Sequence, residues 1–395
     1  QCNLRLLVKF LKSGISIFLE YRNSFIPTEQ ARNIASTIDK ILSSVLSTPS
    51  QLIRDADFLS ERNRLQLEKW NSTPLEHVQR TVHDLIIESA EKTPQAQAVC
   101  AWDGDLTYGE LIEYATRVAA HLVDLGVGAE VIVPLCFEKS KWNVVATLSV
   151  LLAGGCFLPL DPNAPRDRVQ HLINAVHAKV VVCSPTHARF FHGLVEAEGT
   201  VRIDGAFVES LPTPSQRPQG RAGSHNAAYI IPTSGTTGQP KLPVVQHGNI
   251  CTSVKAHYYG IAMNVPKTLR ALQFAAHSFD ASIAEILTVL MFGGTMCIPD
   301  EETRLNNIAQ AMNDMGVTHA QLTPTFVRFL EPSMLPTLEV IVLMGEPMSQ
   351  ADLETWSQIY LVNGYGPSEC SVYCFTQKGL SKASDARNIG LALGS

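Results

Sequence analysis

Tyr229-Ile230-Ile231 runs directly into Pro232-Thr233-Ser234-Gly235-Thr236-Thr237-Gly238-Gln239-Pro240-Lys241. A short apolar run that empties into a turn of glycines and hydroxyls reads as a strand delivering an anion-binding loop. Gly235 and Gly238 let the backbone approach an anion with no Cβ in the way. The hydroxyls of Thr233, Ser234, Thr236 and Thr237, with the loop N–H groups, can donate to phosphate oxygens. Lys241 adds positive charge. The Gly-Lys-Ser/Thr ending of a P-loop is absent. Taken alone, the segment also reads as an ordinary Gly/Ser/Thr turn.

Working outward, short apolar strands and helical patterns alternate. Thr107 can cap a helix, with Glu110 placed to complete a capping box. Leu111, Ala115, Val118, Leu122 and Leu125 form its apolar stripe, and Gly126 ends it. Val131-Ile132-Val133, Cys156-Phe157-Leu158, Val180-Val181-Val182, Met296-Cys297-Ile298, Val340-Ile341-Val342-Leu343 and Tyr360-Leu361-Val362 read as strands. Trp142 to Leu152 reads as a helix between two of them. Near-continuous apolar strands alternating with helices indicate an α/β fold with covered sheets. Residues 205–226, rich in Pro, Ser, Gln, Gly and Arg, read as a mobile surface segment.

The N-terminal part has a different character. Ile15 to Tyr21 alternates partly like a strand. Thr28 to Leu46 reads as one helix, with Ile34, Ile38, Ile41 and Val45 on one side. Residues 1–49 are too few to bury both elements, so they read as the tail of a preceding domain. Residues 50–80 read as a connector. It carries a short helix from Leu59-Ser60-Glu61-Arg62 to Trp70-Asn71, and the main domain begins at Thr81.

The 395 residues are 45% apolar and 17% charged, the composition of a folded chain with a substantial core. The formal net charge is -6. No basic block is present to form a nucleic-acid groove. No apolar run reaches the length of a membrane span, and the start is not a signal peptide. Of nine scattered cysteines, only Cys370 and Cys374 lie close together. They lack the second pair that a zinc site needs. Apolar neighbours, as at Val180-Val181-Val182-Cys183, indicate buried, reduced thiols and a cytoplasmic chain.

The phosphate-loop segment resembles the signature loop of adenylate-forming enzymes, in the branch of nonribosomal peptide synthetase adenylation domains. Four further segments match that family in order. They are Leu106-Thr107-Tyr108-Gly109-Glu110-Leu111, Leu152 to Pro162 with Pro165 and Arg168, His277 to Glu285, and Asn363-Gly364-Tyr365-Gly366-Pro367-Ser368-Glu369. The resemblance runs from about residue 80 to the end. It implies a multi-layer N-terminal subdomain, with helices packed on mostly parallel sheets plus a smaller barrel-like sheet region. Residues 1–49 resemble the end of a condensation domain, and residues 50–80 the condensation–adenylation linker. The resemblance also implies that residues 81–395 stop short of the mobile C-terminal subdomain and its catalytic lysine. A fragment so bounded is expected to be poorly active.

The implied reaction is attack of an acid carboxylate on the α-phosphate of ATP, giving an acyl adenylate and pyrophosphate. The acid then passes to a phosphopantetheine thiol on a downstream peptidyl carrier domain. Orientation and charge neutralisation carry such chemistry. By resemblance, Tyr365 stacks on adenine, with Asn363, Gly364 and Gly366 beside it. Ser368, in place of a usual threonine, offers a hydroxyl to the α-phosphate or the substrate carboxylate. Glu369 is the Mg²⁺ ligand, and His277 lies near the phosphate and carboxylate.

Asp280 is implied to pair with the α-ammonium of an amino acid. Read without the family, it could equally cap the helix that follows. The remaining side-chain pocket aligns with Ala281, Ala284, Gln321, Val342, Met344, Gly364, Val372 and Tyr373. Ala284 and Gly364 leave space, which suits a medium or large substrate side chain. The loop departs from its family at Leu242-Pro243, where members usually have Gly-Val. That change bears on loop closure. Two other readings compete: an acyl- or aryl-CoA ligase, which Asp280 opposes, and a non-catalytic scaffold, which the intact Lys241, Ser368 and Glu369 oppose.

Overall fold

The computed structural model describes residues 3–12, 14–72, 76–218, 221–233 and 240–393. They form two units, Gln1–Leu75 and Glu76–Ser395.

In the first unit β1 (Leu4–Leu11) and β2 (Gly14–Tyr21) make an antiparallel hairpin. Two helices follow, α1 (Thr28–Ser47) and α2 (Glu61–Trp70). Ser60 caps α2 by accepting from the Asn63 N–H. The helices are stitched by polar side chains: Asn33 Nδ2 donates to Gln66 Oε1 at 2.6 Å, and Asn63 Nδ2 to Thr37 Oγ1 at 2.8 Å. The hairpin leaves Leu6, Val8, Phe10, Ile15 and Phe18 exposed. A two-stranded hairpin with bare apolar residues is marginal by itself.

The second unit opens with α3 (Val82–Lys92), β3 (Gln97–Ala101), β4 (Leu106–Thr107) and α4 (Tyr108–Asp124). The capping box at Thr107 and Glu110 is present. Next come β5 (Ile132–Cys136), α5 (Lys141–Leu152), β6 (Cys156–Pro159), α6 (Arg166–Ala175), β7 (Val181–Cys183) and β8 (Thr200–Arg202). Helix α7 (Gly205–Ser210) begins the segment read from composition as mobile surface. That reading is corrected at its start: Asp204 caps α7 by accepting from the Phe207 N–H, and Val208 is buried. One apolar anchor and one cap outweigh the polar composition around them.

The chain continues through β9 (Ala227–Ile230), β10 (Val244–Gln246), α8 (His247–Gly260) and β11 (Arg270–Leu272). Then α9 (Ala281–Ile283) and α10 (Val289–Met291) are joined by a π-helical turn, Ala284–Thr288. Strand β12 (Thr295–Ile298), helix α11 (Glu301–Asn306) and strands β13 (His319–Leu322), β14 (Val340–Leu343), β15 (Tyr360–Tyr365), β16 (Phe375–Lys378) and β17 (Leu391–Ala392) follow, with further helices at Ile308–Asp314, Pro324–Val327 and Gln350–Trp356 between the strands.

Two sheets result. One has the order β10-β9-β6-β5-β7-β8, the other β17-β16-β15-β14-β13-β11-β12-β3-β4. Both are parallel except at their edges. Alternate side chains of a strand feed different cores. Val340 and Val342 join a central cluster that both sheets share with α3, α4, α5 and α8, while Ile341 and Leu343 face a second cluster. Cys156 and Leu158 likewise face a third. Burial on both faces explains why these strands read as unbroken apolar runs. At one edge of the nine-stranded sheet, β16 and β17 run antiparallel beyond β15.

Candidate active site

The phosphate-loop segment connects two antiparallel strands. β9 ends at Ile230 and pairs with Val244 of β10. Below the loop, Thr233 and Lys241 exchange backbone hydrogen bonds of 2.9 and 3.0 Å. Ser234, Gly235, Thr236, Thr237 and Gly238 lie outside the described residues. Leu242 packs half-buried on the third cluster, and Pro243 stands just before the first ladder residue. That position needs no N–H.

Asp280 stands at the start of α9 but its carboxylate makes no cap bond. It accepts instead from Ser368 Oγ at 2.7 Å. Burial raises the Asp280 carboxyl above its ordinary range, the Ser368 hydrogen bond opposes that rise, and the neighbouring Glu369 charge adds to it. Glu369 is exposed and forms no ion pair or hydrogen bond among the described residues. Thr233, Ser278, Asp280 and Ser368 line one cavity of about 570 Å³ together with Asp161, Asn163 and Arg168. Residues from the second, third, fourth and fifth matched segments therefore meet at one place.

His277 is buried, with Asn143 Nδ2 3.3 Å from its Nε2. Desolvation, with help from the Lys139 charge, pushes it down to about 3. The ring is neutral at physiological pH. Tyr365 is half-exposed at the end of β15, with the Phe375 ring tilted against it at 6.5 Å, so part of its ring is open to a flat ligand. Asn363 is buried, and its Nδ2 donates to the Asn388 carbonyl at 3.0 Å. Gly366 has no room for a side chain, because a Cβ there would lie 2.1 Å from the Val372 carbonyl oxygen. Ser371 and Val372 both take positive φ, 56° and 84°. For a β-branched residue this is a strained conformation. It turns the chain back so that Tyr373 points into the core.

The expected side-chain pocket is brought together around that tyrosine. Ala284, Gln321, Val342, Met344, Gly364, Val372 and Tyr373 are buried, and Ala281 is half-buried. Tyr373 Oη lies 2.6 Å from Gln321 Oε1 and 2.7 Å from Met344 Sδ. A Cβ at Gly364 would sit 2.7 Å from Cε1 of Tyr373. The room that Gly364 leaves is thus filled by the Tyr373 ring. The expectation of open space for a large substrate side chain is corrected on this side of the pocket. Gln321 Nε2 is buried without a hydrogen-bond partner among the described residues. His257 of α8 backs the ring edge-on at 5.3 Å.

Sequence reasoning missed a second group of residues. Lys139, Gln273 and Glu285 form a buried polar cluster behind His277. Glu285 closed a matched segment but received no role. Lys139, between Glu138 and Ser140 with Lys141 beyond, received no reading.

The second unit thus brings Thr233, Asp280, Ser368 and Arg168 to one cavity, and leaves Tyr365 and Glu369 exposed beside Ser368 in sequence. A family model for AMP-binding enzymes matches residues 86–394, and the chain belongs to that family. It is 43% identical over 396 residues to nonribosomal peptide synthetase 1 of Aspergillus fumigatus, covering 100% of this chain and 6% of that protein. It is 42% identical over 377 residues to nonribosomal peptide synthetase 4 of Gibberella zeae, covering 95% of this chain and 5% of that protein. The chain therefore spans a small fraction of these relatives. The fold is also that of the nonribosomal peptide synthetase FmoA3 in its α-methyl-L-serine-AMP bound form. That match has a TM-score of 0.80 at 22% identity and covers 99% of this chain and 45% of that one. The resemblance to adenylation domains, read from the motifs from about residue 80 onward, is borne out there.

Proposed function

We propose that this chain activates an α-amino acid as its adenylate within a nonribosomal peptide synthetase. The observation that carries the reading is the Ser368–Asp280 hydrogen bond at the cavity that Thr233 also lines. It sets a half-buried carboxylate beside a hydroxyl and the foot of the phosphate loop. A carboxylate in that setting is costly unless a cation joins it. The α-ammonium of an amino acid is such a cation, whereas an aryl or fatty acid brings none. This favours amino-acid activation over acyl- or aryl-CoA ligation.

The residues divide the work as follows. Asp280 holds the ammonium, so that the substrate carboxylate faces the α-phosphorus of ATP. The carboxylate oxygen forms the new P–O bond as the bond to the β-phosphate breaks, and pyrophosphate leaves. The hydroxyl loop and Lys241 receive the charge on the phosphates. Glu369, exposed and without an ion pair among the described residues, suits a Mg²⁺ ion that neutralises phosphate oxygens. Tyr365 and the Gly364-Tyr365-Gly366 backbone suit the adenine. Neutral His277 can orient an oxygen without adding charge.

The aminoacyl adenylate would pass to a phosphopantetheine thiol of a carrier domain, in a cytoplasmic, multimodular chain. Residues 1–49, with their bare apolar hairpin, suit the end of an upstream condensation domain, and residues 50–80 the linker. ATP–pyrophosphate exchange by the full-length protein tests the reading. Amino acids should support exchange. Turnover only with acids that lack an α-amine would defeat it.

A further inference from the structure

The loop between β11 and α9 carries both His277 and Asp280, and it is held from below by buried charge. Lys139, in the bend after β5, donates through Nζ to Gln273 Oε1 at 2.6 Å and to the Ala275 carbonyl at 2.7 Å. Glu285 accepts from the Ala275 N–H at 3.1 Å and from Gln273 Nε2 at 3.2 Å. Arg304 of α11 reaches the Phe274 carbonyl at 3.3 Å and stacks over the Phe274 ring. Two cations thus take the backbone carbonyls of Phe274 and Ala275 and the side-chain oxygen of Gln273, and a carboxylate takes the Ala275 N–H and the Gln273 side-chain amide.

Two features show that this is more than a convenient packing of polar groups. Lys139 and Glu285 are 5% and 0% exposed, and no direct ion pair joins them. Both are spent on the loop. Glu285 also sits in the π-helical turn. Such turns are uncommon and recur at functional sites. The cluster spans the two sheets as well, since Lys139 follows β5 of one and Gln273 follows β11 of the other.

We propose that Lys139 and Glu285 are positioning residues for amino-acid activation, fixing the Gln273–Asp280 loop so that His277 and Asp280 address the substrate. The inference rests on the functional reading above for its kinetic consequences, but not for its structural ones. The charged and titratable groups facing Lys139 are Glu285 from the π-helical turn, His277 from the loop, and Glu301 and Arg304 from α11. Burial lowers Lys139 below the usual lysine range and raises Glu285 above the usual carboxylate range, while their mutual attraction opposes both shifts. Lys139 therefore loses its proton at a lower pH than a surface lysine; the neutral amine keeps two N–H donors but loses the charge that strengthens them, so its hold on the loop weakens.

The experiment compares full-length wild type with Lys139→Met, Lys139→Arg and Glu285→Gln. The expected result for Lys139→Met is a fall of tenfold or more in kcat/KM for the amino acid, with the KM for ATP moved less than twofold. Wild-type kcat at saturating substrate should decline on the alkaline side. Lys139→Arg should move that decline upward in pH, which a merely structural lysine would not do. Hydrogen exchange of the Gln273–Asp280 amides supplies a readout independent of activity, with faster exchange expected in Lys139→Met and Glu285→Gln. A wild type that exchanges pyrophosphate with no amino acid removes the functional reading, and the amide exchange then judges the loop alone. Wild-type kinetics in Lys139→Met, an alkaline limb unmoved in Lys139→Arg, or unchanged amide exchange each overturns the proposal.

Discussion

The Ser368 hydroxyl donates to the Asp280 carboxylate at 2.7 Å, across 88 residues of sequence. The bond stabilises the ionised carboxylate against its burial. Removing it in Ser368→Ala should raise the Asp280 carboxyl further. The form that pairs with an ammonium is the ionised one, which exists only above that raised value. The acid limb of kcat/KM for the amino acid should therefore move upward in pH in Ser368→Ala. Asp280→Asn keeps the shape and removes the charge. Loss of a charge-assisted contact at a half-buried carboxylate is worth about 1.5–3 kcal/mol, so kcat/KM should fall by about ten- to a hundredfold. Exchange kinetics across pH check both outcomes.

Gly366→Ala is expected to fail for a local steric reason. The added Cβ would meet the Val372 carbonyl at 2.1 Å, and backbone cannot swing aside as a side chain can. Val372 is already strained at positive φ, so the turn has little slack. Overpacking of this kind costs about 1–3 kcal/mol. A fall in Tm by several degrees, with weakened ATP binding by calorimetry, is the expected pair of readings. A variant with wild-type Tm and ATP affinity would remove the steric account of this glycine.

Tyr373 should set the size of side chain that the site accepts. Its ring occupies the space beside Gly364, and its hydroxyl is shared by Gln321 and Met344. Tyr373→Phe keeps the ring and leaves Gln321 Oε1 without its donor. That should cost about 1–3 kcal/mol of stability without changing the preferred side-chain size. Tyr373→Ala removes the ring, at about 3–5 kcal/mol, and should admit larger side chains. An exchange panel of amino acids graded by size would show the shift. An identical ranking in wild type and Tyr373→Ala would mean that the ring does not bound the pocket.

The contrast between these residues shows what could be read without coordinates. The helix at Tyr108–Asp124 was legible because its signals are local: a capping box at Thr107 and Glu110, an apolar stripe, and a glycine at the end. The doubly buried strands were legible because burial on two faces leaves an unbroken apolar run. Asp280 was only half-legible, since a helix cap and an ammonium partner look alike until Ser368 is seen to hold it. Tyr373 was read as one more pocket residue. That its ring fills the space of Gly364 depends on the strained Ser371-Val372 turn, for which no local residue preference speaks. Lys139 and Glu285 meet through Gln273, and the separations of 134 and 12 residues leave no periodic trace.

Buried histidines should make the fold sensitive to acid. His247 and His277 are pushed down to about 3, and His257 and His319 to about 4, in each case chiefly by desolvation. In the unfolded chain they titrate near their ordinary 6.5. As pH falls through 6.5, the unfolded chain takes up protons that the folded chain refuses, and folding is disfavoured. Each such group removes up to about 1.4 kcal/mol per pH unit until its folded value is reached. Glu285 acts the other way. Raised to about 7, it holds a proton in the folded chain between that value and its ordinary 4.5, which favours folding as pH falls. Four histidines outweigh one carboxyl, so Tm should drop steadily from pH 6.5 to 4.5 and change little between 6.5 and 8 on their account. His319→Gln should flatten the slope. A Tm that stays level down to pH 4.5 in both proteins would mean that these rings take up protons in the folded state, against the burial that surrounds them.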